Sequence, residues 1–173
     1  YFDNQEGEVE NSYQKNRDWE EFIEPINKKT NSKFERKQLI EKAFLENVEE
    51  IKKFGHEIIL IYPVPEMAFN VPRKIYNDIV IEKNQKIKIF SSSYNVFTER
   101  NKEIFKLFDK IDSNKLHRVY PHTHFCNKLI QNRCVANSEK EIYYWDDDHL
   151  SLQGSRLVVK DIINKINLMK DNK

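Results

Sequence analysis

Three consecutive aspartates run directly into a histidine near the end of the sequence, in the segment WDDDHLS at 145–151. Two residues separate Asp146 from His149. On one tight turn, this spacing lets the carboxylate reach the near imidazole nitrogen while the far nitrogen faces a substrate. The carboxylate then fixes the imidazole tautomer and stabilises the imidazolium that forms when the histidine accepts a proton. The pair is therefore a candidate for the acid and the base of a catalytic triad.

A helix entrance is the structural alternative for the same residues. Asp and Ser cap helices, and acidic side chains favour the positive N-terminal end of a helix. We expect Asp148, which is adjacent to the histidine, to point elsewhere as a cap or a surface acid. The pattern leaves the role of Asp147 open.

Other chemistry is weakly supported by the residue types. His122, His124 and His149 could gather around zinc with the aspartates, but no H-x-x-x-H spacing or cysteine pair accompanies them. The chain has three glycines, all far apart, which excludes a glycine-rich phosphate loop. We therefore expect no metal and no cofactor.

The serine run at 91–93 could supply a nucleophile, but serines before a helix are more often caps.

Two cysteines, Cys126 and Cys134, lie close together in the segment FCNKLIQNRC. A pair that closes a short polar loop is typical of a local disulfide, which would place the domain in an oxidising compartment. Two unrelated reduced thiols in a cytosolic protein are the alternative. The spacing of two cysteines does not decide between them.

The composition is that of one globular domain over residues 1–173. The 29 basic and 28 acidic residues nearly cancel, so no overall field favours nucleic acid, and we expect no nucleic-acid partner. No apolar run approaches the roughly 20 residues of a membrane span. The chain opens at Tyr1 in a polar, acidic segment without an initiator Met. We expect it to be the C-terminal fragment of a larger, membrane-anchored protein.

Hydrophobic periodicity predicts the elements that must position these residues. Helices are predicted over 32–54, from about Pro72, over 94–108 and from about Ser151. Strands or extended segments are predicted over 58–65, 115–121 and 141–145 and, less distinctly, over 86–90. Ser32 can cap the first helix, Glu35 stands at the capping-box position, and Gly55 follows the helix end.

The segment IILIYPVP at 58–65 predicts a strand buried on both faces, and hence a parallel sheet. Alternation of helices with short apolar strands favours a single three-layer α/β/α domain. The sheet looks incomplete, so we expect its N-terminal strand to be missing from this chain. In open α/β sheets reactive loops gather at the carboxyl ends of strands, and WDDDHLS follows the extended segment at 141–145.

The segment DDDHLSLQG resembles the last conserved block of the SGNH (GDSL-type) esterase and acyltransferase superfamily. The closest resemblance is to the periplasmic SGNH domain fused behind a polytopic acyltransferase-3 membrane domain, in bacterial enzymes that O-acetylate cell-surface glycans. Three further segments resemble that branch in the right order: YPVPEMAFNVP at 62–72, VFTERN at 96–101 and VYPHTHFCNKLIQNRC at 119–134. The resemblance covers roughly residues 58–160 and implies an SGNH or flavodoxin-like sandwich.

The resemblance also implies roles for individual residues. It makes Asp146 the orienting acid and His149 the general base of a Ser-His-Asp triad. It makes Cys126–Cys134 a disulfide and so favours a periplasmic location, tethered to the inner membrane. The family nucleophile lies in a G-D-S block, which does not occur in these 173 residues. The resemblance therefore implies a serine upstream of Tyr1, and a fragment that is inert alone.

The expected function is O-acyl transfer, in particular O-acetyl transfer, to a cell-surface glycan. The expected partners are that acceptor glycan and an upstream polytopic acyltransferase membrane domain. One alternative is a non-catalytic carbohydrate-binding module on the same fold, and another is a plain secreted esterase. For the binding module, sugar rings would stack on the aromatic residues Tyr94, Tyr120, Tyr143, Tyr144 and Trp145.

Overall fold

The computed structural model describes residues 32–171. Its elements in chain order are helix α1 (Lys33–Lys53), strand β1 (Ile58–Ile61), helix α2 (Val71–Tyr76), which continues as a π-helical turn (Asn77–Ile81), strand β2 (Ser91–Ser93), helix α3 (Tyr94–Asp109), strand β3 (Leu116–Val119), the one-turn helix α4 (His122–Phe125), strand β4 (Arg133–Val135) and helix α5 (Leu152–Asp171). No helix within this range is long and apolar enough to cross a membrane.

Helix α1 begins and ends where the sequence places it. The Oγ of Ser32 accepts a hydrogen bond from the backbone N–H of Glu35 at 3.1 Å, which satisfies one of the free donors of the first turn. Gly55, just beyond the helix, has a φ of 77°, a left-handed conformation that favours glycine. The predicted first helix is confirmed, together with both of its end signals.

The parallel sheet pairs β1 with β3, in a register that sets Ile58 opposite Leu116 and Ile61 opposite Val119. Side chains alternate between the two faces of such a pair. On one face, Ile59 and Val119 pack with Val158 of α5. On the other side, the ring of Tyr62, just after β1, lies 5.0 and 5.2 Å from the rings of Phe105 and Phe108 of α3. Helices therefore cover both faces, and the predicted α/β fold with a parallel sheet is confirmed.

The prediction that β1 is buried on both faces is wrong. Its first three residues are half-buried, and Ile61 is 45 % exposed. Among residues 32–171, β1 has one hydrogen-bonded neighbour, β3, so its other edge has no strand beside it. A continuous apolar run indicates a strand that can be buried on both faces. In the described part of the chain, another strand pairs with only one edge of β1.

No strand forms at 86–90; instead, a second sheet pairs β2 with β4 in antiparallel fashion. The amide of Asn137, a fully buried residue, replaces strand pairing at this point. Its Oδ1 accepts from the backbone N–H of Phe90 at 2.9 Å, and its Nδ2 donates to the backbone carbonyl of Lys88 at 2.9 Å. The 141–145 segment likewise forms isolated bridges rather than a strand.

Candidate active site

The loop that carries the aspartates is a short turn closed by backbone pairing. Tyr144 and Leu150 form an antiparallel bridge, and the backbone N–H of Trp145 donates to the carbonyl of His149 at 2.7 Å. The Tyr144 ring is 1 % exposed, and its hydroxyl donates to the carbonyl of Pro65 at 2.7 Å. The base of the turn is therefore fixed by a buried side chain, and its tip extends into solvent.

A long-range contact fixes the tip of the turn. The carbonyl of Asp147 accepts from the N–H of Met67 at 2.7 Å, and the carbonyl of Asp146 accepts from the N–H of Val71 at 3.1 Å. Met67 lies in the connection between β1 and α2, Val71 is the first residue of α2, and both side chains are fully buried in the main core. The turn therefore sits at the carboxyl end of β1, the edge where open α/β sheets carry their reactive loops.

Asp146 holds the imidazole of His149 in one orientation. Its Oδ2 lies 2.8 Å from Nδ1 of His149. Its Oδ1 accepts from the backbone N–H groups of Asp148 and His149 at 3.0 and 2.7 Å. Both carboxylate oxygens of Asp146 therefore bind groups within residues 146–149, as expected of a carboxylate that caps a tight turn. Among residues 32–171, no hydrogen bond involves Nε2 of His149, whose side chain is 74 % exposed.

The electrostatics of the turn follow from these bonds. The hydrogen bond that Asp146 accepts from the imidazole, with the charges of Asp148 and Asp146, raises the pKa of His149 above its ordinary value of 6.5. Partial burial would raise the pKa of Asp146, but the backbone N–H bonds from His149 and Asp148 outweigh burial and hold that pKa below 3.8. Asp146 is therefore the ionised partner that a protonated imidazole requires.

The prediction that Asp148 points away from the histidine is wrong. Its Oδ1 also lies 2.8 Å from Nδ1 of His149. The turn folds its third aspartate back over the imidazole, because the backbone N–H of Asp148 is itself bound to Asp146. Burial and the neighbouring charge of Asp147 raise the pKa of Asp148. The structure thus leaves two carboxylates at one imidazole nitrogen.

Gly154 allows the turn to run into helix α5. A Cβ atom at this position would lie 2.2 Å from the backbone carbonyl oxygen of Tyr143, so no larger residue fits without backbone movement. Ser151 completes the junction: its hydroxyl donates to the carbonyl of Ile142 at 2.6 Å and accepts from the N–H of Gly154 at 3.2 Å. The helix-entrance interpretation therefore describes Ser151 and Gly154, whereas Asp146 binds the histidine.

The histidines considered for zinc do not come together. The Nε2 of His124 lies 2.7 Å from Oδ2 of Asp161 in α5. His122 lies among aromatic rings, with that of Phe97 at 5.5 Å. Asp146, Asp148 and His149 bring ligand atoms within 4.8 Å of one another. Their mutual hydrogen bonds account for that closeness.

The serine run at 91–93 serves the fold. The Oγ of Ser93 accepts from the N–H of Val96 at 3.3 Å and caps α3, while Ser91 accepts from Nε of Arg133 at 3.0 Å. Ser92 is buried, and its hydroxyl has no hydrogen-bond partner in the described part of the chain. No hydrogen bond joins a serine of residues 32–171 to His149.

The sulfur atoms of Cys126 and Cys134 lie 2.01 Å apart, at bonding distance. Both residues are buried in the main hydrophobic core, beside Phe97 and Tyr144. Helix α4 ends immediately before the loop that the pair closes, and strand β4, which contains Cys134, leads to the buried Asn137. The geometry accords with the disulfide that the family resemblance implies.

The sequence did not reveal two parts of the site. The backbone donors of Met67 and Val71 act across 75 or more residues of chain, and no local pattern encodes that contact. Only the resemblance of the 62–72 segment pointed to this region. The pairing of Trp145 with His149 could have been inferred from their symmetric placement about the turn, had the turn been recognised as a hairpin tip.

A parallel α/β fold with an aspartate–histidine pair at the entrance of its last helix is the arrangement expected of an α/β esterase or acyltransferase. Residues 6–164 match the family model described as SGNH domain (fused to AT3 domains), and the chain belongs to this family. Comparison with curated proteins and with solved structures gave no significant match. Membership of the family indicates a function of acyltransferase or esterase type, beside a membrane-embedded acyltransferase domain.

Proposed function

We propose that this domain completes an O-acyltransferase, with Asp146 and His149 as the acid and base of a Ser-His-Asp triad. The observation that carries the proposal is the geometry at His149. Asp146 binds Nδ1 at 2.8 Å, and Nε2 remains open to solvent among the described residues. A general base needs this arrangement, because one nitrogen must be oriented while the other receives the proton.

The serine of the triad would come from a segment that precedes Tyr1, as the family pattern implies. Its hydroxyl oxygen attacks the acyl carbonyl of the donor, and its proton passes to Nε2 of His149. The donor's leaving group departs with that proton, which leaves an acyl-serine ester. In the second half, a sugar hydroxyl loses its proton to Nε2 and attacks the ester, so the acyl group moves to the sugar and the serine is regenerated.

The acyl group and the acceptor follow from the family rather than from a residue. Fusion to AT3 membrane domains in the family favours transfer, with acetyl as the acyl group and a cell-surface glycan as the acceptor. A disulfide between Cys126 and Cys134, as the family resemblance implies, favours an oxidising compartment. A periplasmic domain tethered to the inner membrane fits both observations.

Substitution of His149 tests this proposal in the full-length protein with its own membrane domain. We expect His149→Ala to reduce alkali-labile acetate on the surface glycan to the level of cells that lack the protein. His56→Ala is the matched control, because His56 is an exposed histidine between α1 and β1, at the opposite end of that strand. It should retain acetylation.

Retained acetylation in a folded His149→Ala protein would refute the triad role. The same cells distinguish the alternatives. A secreted esterase would release acetate into the medium without adding it to the glycan. A binding module would leave the acetate content of the glycan unchanged when either histidine is replaced.

A further inference from the structure

Trp145 lies directly opposite His149 across the turn. Tyr144 and Leu150 form the neighbouring bridge, so the same register pairs Trp145 with His149, and the N–H of Trp145 donates to the carbonyl of His149 at 2.7 Å. Residues that face each other in an antiparallel pair project their side chains from the same face. One of the two backbone bonds of such a pair is present here, since the N–H of His149 binds Oδ1 of Asp146 instead. Because the Tyr144 ring points into the core, Trp145 and His149 project outward together.

The exposure of Trp145 separates it from the other aromatics considered for sugar stacking. Trp145 is 75 % exposed, against 1 % for Tyr144. Tyr143 packs against Phe125, with ring centroids 5.7 Å apart. The others, Tyr94 and Tyr120, both lie against His122. The packing of these four tyrosines is accounted for by the fold, whereas the Trp145 ring is presented to solvent beside the candidate base.

We propose that Trp145 is an acceptor-binding residue on which a sugar ring of the glycan stacks, next to Nε2 of His149. This inference rests on the proposed function. An indole offers a large apolar face that matches the C–H face of a pyranose, and an exposed tryptophan gains free energy when such a face covers it. A sugar ring on Trp145 would bring its hydroxyls within reach of His149, since the two side chains leave the turn on the same side.

The direct test is binding of this chain to the surface polysaccharide of the producing cells, stripped of O-acetyl groups with mild alkali. Affinity electrophoresis gives the dissociation constant. We expect Trp145→Ala to raise it about ten-fold, and Trp145→Phe to restore part of the affinity. Phe54→Ala is the matched control, because Phe54 is 79 % exposed at the far end of β1 and should bind as the unmodified chain does.

Fluorescence supplies a second readout. The sequence has two tryptophans, so Trp19→Phe leaves Trp145 as the single indole. We expect its emission to shift to shorter wavelength when the polysaccharide binds. Equal affinity for the Trp145→Ala and Phe54→Ala chains would overturn the inference, and so would the absence of binding by the unmodified chain.

Transfer assays on the full-length protein keep the two proposals apart. With p-nitrophenyl acetate as donor and the stripped polysaccharide as acceptor, Trp145→Ala should raise the half-saturating polysaccharide concentration and leave fluorophosphonate labelling of the serine unchanged. A variant that also loses labelling would show that Trp145 acts through His149, contrary to the inference. Polysaccharide binding that depends on Trp145, in a protein that transfers no acetyl group, would refute the proposed function and support the acceptor-binding role.

Discussion

Two carboxylates compete for the single N–H that a neutral His149 presents at Nδ1. Asp146 and Asp148 both approach that nitrogen to 2.8 Å. They differ in how they are held. Backbone N–H groups fix the second oxygen of Asp146, whereas burial and nearby charge raise the pKa of Asp148. We therefore propose that Asp146 orients the imidazole, and that the charge of Asp148 adds to the rise in the His149 pKa that the hydrogen bond to Asp146 produces.

Replacing each aspartate by asparagine separates these roles in a polypeptide that contains the serine. Asp146→Asn should lower kcat/KM by roughly 10³- to 10⁴-fold, because an amide can stabilise the wrong tautomer. Asp148→Asn should retain most of the activity. It should also move the acidic limb of the pH–rate profile to lower pH, because a carboxylate that raises the pKa of His149 has been neutralised. Hydrolysis of p-nitrophenyl acetate across pH 5–9 measures both effects.

Equal losses in the two variants would show that both carboxylates orient the ring. Asp147→Asn is a useful third protein, because the charge of Asp147 also raises the pKa of His149, although more weakly than the other two aspartates. The sequence predicted the pair of Asp146 and His149 from spacing alone. It could not predict the approach of Asp148, which depends on side-chain rotation within a turn whose backbone was unknown.

Element by element, the turn is held between α5 and the connection that follows β1. The junction with α5 is tightly packed. A Cβ atom added at Gly154 would clash with the backbone of Tyr143, which cannot move aside as a flexible side chain could. The core on the other side is formed by residues such as Met67 and Val71, whose backbone N–H groups also bind the turn. Strain introduced at either element should be transmitted to His149.

Gly154→Ala tests the junction. We expect it to destabilise the fold by about 1–3 kcal/mol, the usual cost of forcing extra atoms into a packed site, and to lower the Tm by several degrees. Gln153→Ala is the control, because Gln153 is exposed on the first turn of α5. Thermal unfolding followed by circular dichroism measures both. An unchanged Tm for Gly154→Ala would mean that the junction yields easily.

Local signals predicted most of the elements. Helices α1, α3 and α5 show clear apolar periodicity, β1 is an apolar run, and a proline follows both β1 and β3 within two residues. The sequence did not predict the pairing of β2 with β4, because the segments SSS and RCV show no alternation of apolar and polar residues. What holds that pair is the Arg133 guanidinium, which donates to the Ser91 carbonyl at 2.6 Å across 42 residues.

For the molecule as a whole, two histidines make stability depend on pH in opposite directions. His122 lies among aromatic rings, its Nδ1 has no hydrogen-bond partner among residues 32–171, and burial lowers its pKa below 6.5. His149 is exposed, and its carboxylate neighbours raise its pKa above 6.5. Burial of a neutral imidazole favours the fold at higher pH, whereas an ion-paired imidazole favours it at lower pH.

Single substitutions should isolate each contribution in the free energy of unfolding, measured with urea from pH 4.5 to 8.5. The contribution of His149 is complete below pH 6.5 and is lost as pH rises through the raised folded pKa. His149→Asn should therefore remove a decline above pH 6.5. The contribution of His122 is present above pH 6.5 and is lost as pH falls towards the lowered folded pKa, so His122→Gln should flatten the acidic side. Unchanged curves would contradict both assignments.

The contact between Asp146 and His149 spans only three residues of chain. A loop of that length closes at small entropic cost, so the pair can form early in folding, before Met67 and Val71 bind the turn. A serine from before Tyr1 would instead have to reach His149 across more than 140 residues. Under the proposed mechanism, the acid–base half of the triad thus forms through contacts that are local in the chain. The assembly step most sensitive to destabilising changes is the long-range approach of the nucleophile.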